Sequence, residues 1–115
     1  MHLLKREMNG LPIVDVSGRI TLGEGCEKLR GLVRELLEQG HHNWILNLAD
    51  CTYMDSSGTG ELVSALMATE NRGGKLKLLK LTKKIHDLLQ ITKFRSLFEV
   101  YDDEDRAIAS FRQTA

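Results

Sequence analysis

The 115-residue sequence has only two cysteines, one proline and 5% aromatic residues. Two cysteines without a Cys-x-x-Cys pair predict neither a disulfide framework nor a cysteine-rich zinc site. The longest apolar runs are far shorter than the ~20 residues that cross a bilayer, so no membrane insertion is expected. Residues 1–6 lack the apolar run of a secretion signal, which favours a cytoplasmic location. The length predicts one domain over residues 1–115.

Sixteen basic and sixteen acidic side chains cancel, so no overall field attracts nucleic acid or anionic lipid. Positive charge is nevertheless concentrated in residues 72–95, which hold eight basic side chains and one acidic one. We interpret these cations, Lys77 among them, as solvated groups on an ordinary strand and helix; a docking patch for an acidic partner is the alternative. Phe94 is the only aromatic residue in this segment. Direct nucleic-acid binding is therefore not expected, because a stacking platform needs several aromatic rings.

The spacing of apolar residues predicts alternating strands and helices. Asn9-Gly10 favours a tight hairpin that joins strands over 3–8 and 11–16. The further predicted strands cover 44–49, 76–81 and 97–101. The predicted helices cover 26–39, 57–71, 83–91 and a short terminal segment whose first turn carries the acidic run 102–105. This order predicts an α/β fold with right-handed crossovers. We expect a mixed, mostly parallel sheet of about five strands with an antiparallel N-terminal edge, packed by about four helices.

Residues 53–62, Tyr-Met-Asp-Ser-Ser-Gly-Thr-Gly-Glu-Leu, lie between a predicted strand and a predicted helix. The carboxyl ends of strands are where open α/β sheets usually place their function. Asp55, Ser56 and Ser57 suit helix capping, because a side-chain oxygen can accept from free backbone N–H groups. The glycines suit a tight turn, and we expect Gly58 to need a positive φ. Taken alone, the segment favours capping.

The same segment does not carry the known catalytic patterns. No lysine follows Gly60, so it is not a phosphate-binding loop, and it lacks the Gly-x-Ser-x-Gly of a hydrolase elbow. A nucleophilic serine would need a placed base, and no histidine is tied to Ser56 by its spacing. His41 and His42 follow Gly40 in a predicted surface turn, where solvated histidines are expected rather than metal ligands. The sequence therefore predicts no enzyme and no metal site.

Asp55-Ser56-Ser57-Gly58, followed by Gly60 and accompanied by residues 73–76 and 89–92, resembles the STAS domain of bacterial anti-sigma factor antagonists. The resemblance covers nearly the whole chain. It implies that Ser56 is phosphorylated by a partner that is both an anti-sigma factor and a serine kinase, and that a serine phosphatase reverses the reaction. ATP and magnesium would belong to the kinase, so no cofactor is expected here. The implied partner-binding residues are Asp55, Ser57, Gly58, Thr59, Gly60 and Thr21.

Two positions depart from the family pattern. Thr59 stands where the family usually has an aliphatic residue. Gly18-Arg19-Ile20-Thr21 replaces the family's Gly-Glu-x-Asp and so removes two acidic groups near the loop. The resemblance thus leaves two functions open. One is a phosphorylated anti-anti-sigma regulator, and the other is a non-phosphorylated STAS interaction subunit of a transporter or signalling scaffold.

Overall fold

In the computed structural model, which describes residues 1–112, five strands form one mixed sheet in chain order. The strands are β1 (His2–Met8), β2 (Leu11–Ile20), β3 (Asn43–Met54), β4 (Lys75–Leu79) and β5 (Val100–Tyr101). The helices within the same residues are α1 (Glu24–Glu38), α2 (Ser56–Asn71), α3 (Lys83–Ile91) and α4 (Glu104–Arg112), with a 3₁₀ turn at Arg95–Leu97.

The sheet topology confirms the predicted fold class. Strand β1 pairs antiparallel with β2, and each later pair of neighbours is parallel. The turn between β1 and β2 places Asn9 at φ 56° and Gly10 at φ 80°. Both angles are left-handed, as the Asn-Gly dipeptide predicts for a tight hairpin.

The two faces of the sheet bury different sets of side chains. Val14 and Leu46 belong to the large core formed with α1, α2 and α3. Their neighbours Ile13 and Ile45 point to the opposite face, where they pack against α4 through Ala107 and Ile108. The fold therefore has helices on both faces, with three on one side and α4 alone on the other among the described elements.

Strands β2 and β3 extend beyond the predicted 11–16 and 44–49. Their pairing continues past polar residues, with register shifts near Ser17 and Gly18, until Ile20 pairs with Met54. These polar residues and register shifts break the alternation of apolar and polar residues, so the pattern could not predict the ends of the two strands. As a result Cys51, which falls beyond the predicted strand 44–49, lies buried within β3. Burial also raises the pKa of its thiol.

Lys77 contradicts the prediction of a solvated side chain, because it is only 2% exposed. Its ammonium donates to Ser110 Oγ at 2.9 Å and lies over the rings of Phe111 and Tyr101, at 4.4 and 5.8 Å from their centroids. Helix α4 supplies Ser110 and Phe111, and β5 supplies Tyr101, so the burial of Lys77 depends on residues more than 20 positions later in the chain. Strand β5 is also shorter than the predicted 97–101, since the 3₁₀ turn occupies Arg95–Leu97.

The described residues contain no helix that is both long and apolar enough to cross a membrane. Across residues 1–112, no three His, Cys, Asp or Glu side chains are grouped closely enough to hold a metal ion.

Candidate functional site at the start of helix α2

The candidate site lies where β2 and β3 end side by side. Ile20 pairs with Met54 in the sheet, and the backbone N–H of Asp55 then donates to the carbonyl of Ile20 at 3.3 Å. The chain enters α1 after residues 21–23 and enters α2 directly after Asp55. Two helix N-termini are thereby placed next to each other at the carboxyl edge of the sheet.

Asp55 is the capping residue of α2 and joins the two loops. Its carboxylate accepts from the N–H of Gly58 at 2.7 Å and from the N–H of Leu22 at 3.1 Å. These two backbone donors lower the pKa of Asp55, because hydrogen bonds to a carboxylate favour its charged form. Asp55 therefore caps α2 with a charged side chain and also links its loop to Leu22. The capping predicted for this segment is carried out by Asp55 and not by a serine.

Ser56 and Ser57 differ in exposure. Ser56 is the first residue of α2 and is exposed, whereas Ser57 is partly buried. Within residues 1–112 the Ser56 hydroxyl makes no hydrogen bond. The Ser56 hydroxyl is thus exposed to solvent at the start of a helix that Asp55 already caps.

The expected positive φ at Gly58 is wrong, because the backbone of Gly58 is helical and lies outside the left-handed region. A Cβ atom at this position would stand 2.1 Å from the carbonyl oxygen of Ile20 and 2.8 Å from Cγ of Met54. Glycine is required here because the start of α2 lies directly against the end of β2.

The other implied partner-binding residues lie around this contact. Thr59 is 2% exposed, and its hydroxyl donates to the carbonyl of Asp55 at 3.0 Å. Its side chain therefore shapes the loop from inside and offers no second hydroxyl at the surface. Gly60 is exposed, and Thr21 is partly exposed with its carbonyl accepting from Cys26 N–H at 3.1 Å. The surface of the site consists of Ser56, Gly60 and parts of Thr21 and Ser57.

A cationic aromatic cluster next to this surface was missed by sequence reasoning. The Arg19 guanidinium lies 4.9 Å from the centroid of the Tyr53 ring, and the Lys84 ammonium lies 5.7 Å from it. The three side chains come from β2, β3 and α3. No local pattern indicates that α3 lies beside Tyr53, since this contact depends on the crossover of the chain.

The four histidines give Ser56 no catalytic base. His41 Nε2 lies 3.7 Å from Glu7, and His86 Nδ1 lies 3.7 Å from Asp87. In the part of the chain that the structure describes, no histidine hydrogen-bonds to Ser56. A serine without such a base suits the role of an acceptor hydroxyl better than that of an activated nucleophile.

The five-stranded mixed sheet and its capped serine loop define a small α/β domain with an exposed serine at a strand-to-helix turn. The family model described as the STAS domain matches residues 3–107, and the chain belongs to the STAS domain family. This confirms the resemblance seen in the loop and glycine motifs.

Curated relatives and solved structures agree with this family. The anti-sigma-B factor antagonist of Bacillus subtilis (strain 168) is 32% identical over 87 residues, which cover 76% of this chain and 78% of the relative. The Bacillus cell fate determinant SpoIIAA in its phosphorylated form has a TM-score of 0.75 at 19% identity, with 96% of this chain and 99% of that chain covered. A sulfate transporter family protein from Wolinella succinogenes has a TM-score of 0.76 at 22% identity, with 88% and 84% covered.

Proposed function

We propose that this protein is an anti-anti-sigma regulator that works by partner switching. Unphosphorylated, it binds an anti-sigma factor that is also a serine kinase, and so frees a sigma factor. Phosphorylation of Ser56 ends the binding, and a serine phosphatase restores it. The cycle takes place in the cytoplasm, and ATP and magnesium belong to the kinase. The name of the 32% identical relative, an anti-sigma-B factor antagonist, supports the role.

The exposed and unbonded hydroxyl of Ser56 is the single observation that carries this proposal. A phosphate there would bring about −1.5 to −2 charges at neutral pH. The helix dipole and backbone N–H groups at a helix start favour such an anion. Because Asp55 already holds the turn through Gly58 and Leu22, the added phosphate changes the surface and leaves the fold intact.

Release of the partner follows from this change in surface charge. A partner surface that packs on a neutral hydroxyl meets a dianion after phosphorylation. Desolvating that dianion is costly, and any acidic group nearby is repelled. The domain is thus the substrate of the switch and carries no catalytic group of its own.

A second candidate is a STAS interaction subunit that is not phosphorylated. The structural neighbour titled as a sulfate transporter family protein is consistent with it, as is the replacement of two family acids by Arg19 and Thr21. Such a subunit would bind its partner equally well whether or not Ser56 carries a phosphate.

Phosphorylation in vitro tests the proposal. Partners are first captured from the native cell and identified by mass spectrometry, and the purified kinase is then incubated with the chain and Mg-ATP. We expect one phosphate, lost in Ser56→Ala and kept in Ser57→Ala. Phosphate that persists in Ser56→Ala but disappears in Ser57→Ala would move the site by one residue. The absence of any kinase among the partners, with a membrane transporter in its place, would favour the second candidate.

A further inference from the structure

A shallow apolar groove runs between helix α3 and the end of β3 that leads to Ser56. We call it the α3 groove and define it by its lining residues, which are Tyr53, Met54, Lys83, Lys84, Asp87, Leu88 and Ile91. Ile91 is 79% exposed and Tyr53 is 37% exposed. Large apolar side chains grouped in this way on a small domain mark an interaction surface.

The rim of the α3 groove is positively charged. Arg19 and Lys84 both lie over the Tyr53 ring, and neither contacts a carboxylate within residues 1–112. Lys83, by contrast, is paired with Asp87 at 2.9 Å. The groove therefore offers two cations that no acidic group of the described chain compensates.

We propose that the α3 groove is the docking site for an acidic amphipathic helix of the partner protein. Apolar side chains of that helix would cover Tyr53 and Ile91, and its carboxylates would meet Arg19 and Lys84. Complementary charge of this kind favours the encounter and fixes the register of a helix in a groove. A symmetric contact with a second copy of this chain fits less well, because each copy would bring its own cations to the same place. The inference rests on the proposed function, since it names the chemistry of the anti-sigma partner.

The position of the groove also links docking to the switch. Tyr53 lies three residues before Ser56, at the same end of β3. A phosphate on Ser56 would place negative charge at the same end of β3 as Tyr53, whose ring carries Arg19 and Lys84, and would compete with carboxylates of the partner for these cations. Phosphorylation is therefore expected to weaken an acidic ligand in the groove more than a neutral one.

Two synthetic peptides test the groove without knowledge of the natural partner. Both are alanine-rich helices with leucines at i and i+4 spacing on one face; one carries glutamates beside the leucines, and the other carries lysines at the same positions. Each is titrated into the ¹⁵N-labelled 115-residue chain and followed by NMR. We expect the acidic peptide to shift the amides of Tyr53, Lys84, Leu88 and Ile91, and to bind at least about tenfold tighter than the basic one.

Charge-reversal variants assign the effect to the rim. Arg19→Glu and Lys84→Glu should each weaken the acidic peptide about tenfold. The matched control is Lys75→Glu, which makes the same change at an exposed lysine at the start of β4 and should leave the affinity unchanged. Phosphoserine introduced at position 56 by an expanded genetic code should weaken the acidic peptide as well.

Three results would overturn the docking site. These are equal affinity of the two peptides, shifts that lie outside the groove, and concentration-dependent shifts in the groove without peptide, which would assign it to a second copy. Failure of the proposed function is separate, because a chain that no kinase phosphorylates can still bind the acidic peptide. Conversely, a chain that binds its anti-sigma partner with the same affinity after Arg19→Glu and Lys84→Glu would leave the proposed function standing and remove only the groove.

Discussion

The backbone of Gly58 lies against the end of β2, where a Cβ atom would stand 2.1 Å from the carbonyl oxygen of Ile20. The same carbonyl accepts from Asp55 N–H, so it cannot move away without breaking that bond. Sequence alone predicted that the loop needs glycine and a cap, since Asp-Ser-Ser-Gly is typical of a helix start. It could not predict the reason for Gly58, because the contact is with a residue 38 positions earlier in the chain.

Gly58→Ala should destabilise the protein by about 1–3 kcal/mol, the usual cost of forcing extra atoms into a packed site. The larger Gly58→Val should cost more. Gly60→Ala is the matched control, because a Cβ atom there meets nothing within 4 Å and alanine is favoured over glycine in a helix by roughly 0.5–1 kcal/mol. Thermal melts of the three variants check this; a Gly58→Ala curve that overlays the wild type would contradict the close-contact account.

Ser56→Asp should keep the native circular dichroism spectrum and the melting temperature of the wild type. The change adds a carboxylate at the first position of α2, where a negative charge usually contributes about 0.3–1 kcal/mol favourably. Asp55→Ala is the informative comparison, because it removes the cap and the link to Leu22 and should lower the melting temperature. If Ser56→Asp unfolds the domain, the loop does not tolerate an anion and the proposed switch loses its physical basis.

Helix α4 is fastened to the sheet by polar contacts at both ends. Near its start, Arg6 donates to Asp15 at 2.7 Å and also to Glu104. Asn47 adds a hydrogen bond to Asp15 at 2.8 Å. Near its end, Lys77 donates to Ser110. The acidic run after residue 101 allowed the helix to be predicted. Its docking could not be predicted, because the residues of this network come from four different strands, β1 to β4.

The contribution of this cluster to stability should depend on pH. The hydrogen bond from Arg6 lowers the pKa of Glu104. Burial raises the pKa of Asp15, but hydrogen bonds from Arg6 and Asn47 outweigh it, so that pKa is lowered too. The unfolded chain therefore takes up protons first as the pH falls. The stabilisation is present above the ordinary carboxyl pKa of about 4 and is lost as the pH drops through the lower values of the folded state.

Arg6→Met should cost about 1–3 kcal/mol at neutral pH, since it leaves two partly buried carboxylates without their cation. It should also flatten the fall in stability between about pH 5 and pH 2. Urea denaturation at a series of pH values measures both effects. Lys83→Met is the control, because its ion pair with Asp87 has a 91% exposed lysine and its loss should change the neutral-pH stability little. Identical pH profiles for Arg6→Met and the wild type would exclude the cluster as the source.

At the scale of the whole molecule, the order of elements and the sheet class followed from the sequence. Right-handed crossovers and the Asn-Gly hairpin leave few other arrangements for this order. The lengths of β2 and β3 did not follow, because polar residues interrupt the apolar pattern before the strands end at the paired residues Ile20 and Met54. The candidate serine was found from its motif. Arg19 reaches Tyr53 through the pairing of β2 with β3, and Lys84 reaches it through the position of α3, and neither contact is visible in the local sequence.

Ser56→Asp should weaken binding to the anti-sigma partner by roughly tenfold to a hundredfold, and Ser56→Ala should preserve it. Both variants keep the fold, so the difference reports charge at the interface. Titration calorimetry at moderate salt measures it, with the phosphorylated protein as the stronger test because aspartate has one charge and no phosphate geometry. Ser96→Asp, an exposed serine before β5, is the control for added charge and should bind normally. Equal affinity of the phosphorylated and unphosphorylated protein would leave a docking subunit in place of a switch.

The cap formed by Asp55 has a consequence for the timing of the proposed cycle. Its bonds to Gly58 and Leu22 do not involve the side chain of Ser56, so adding or removing a phosphate requires no rebuilding of the turn. Each molecule can return to its starting state at once and be used again. The rate of the response is then set by the turnover of the kinase and the phosphatase. The protein stays in its released state for as long as the phosphate ester on Ser56 survives.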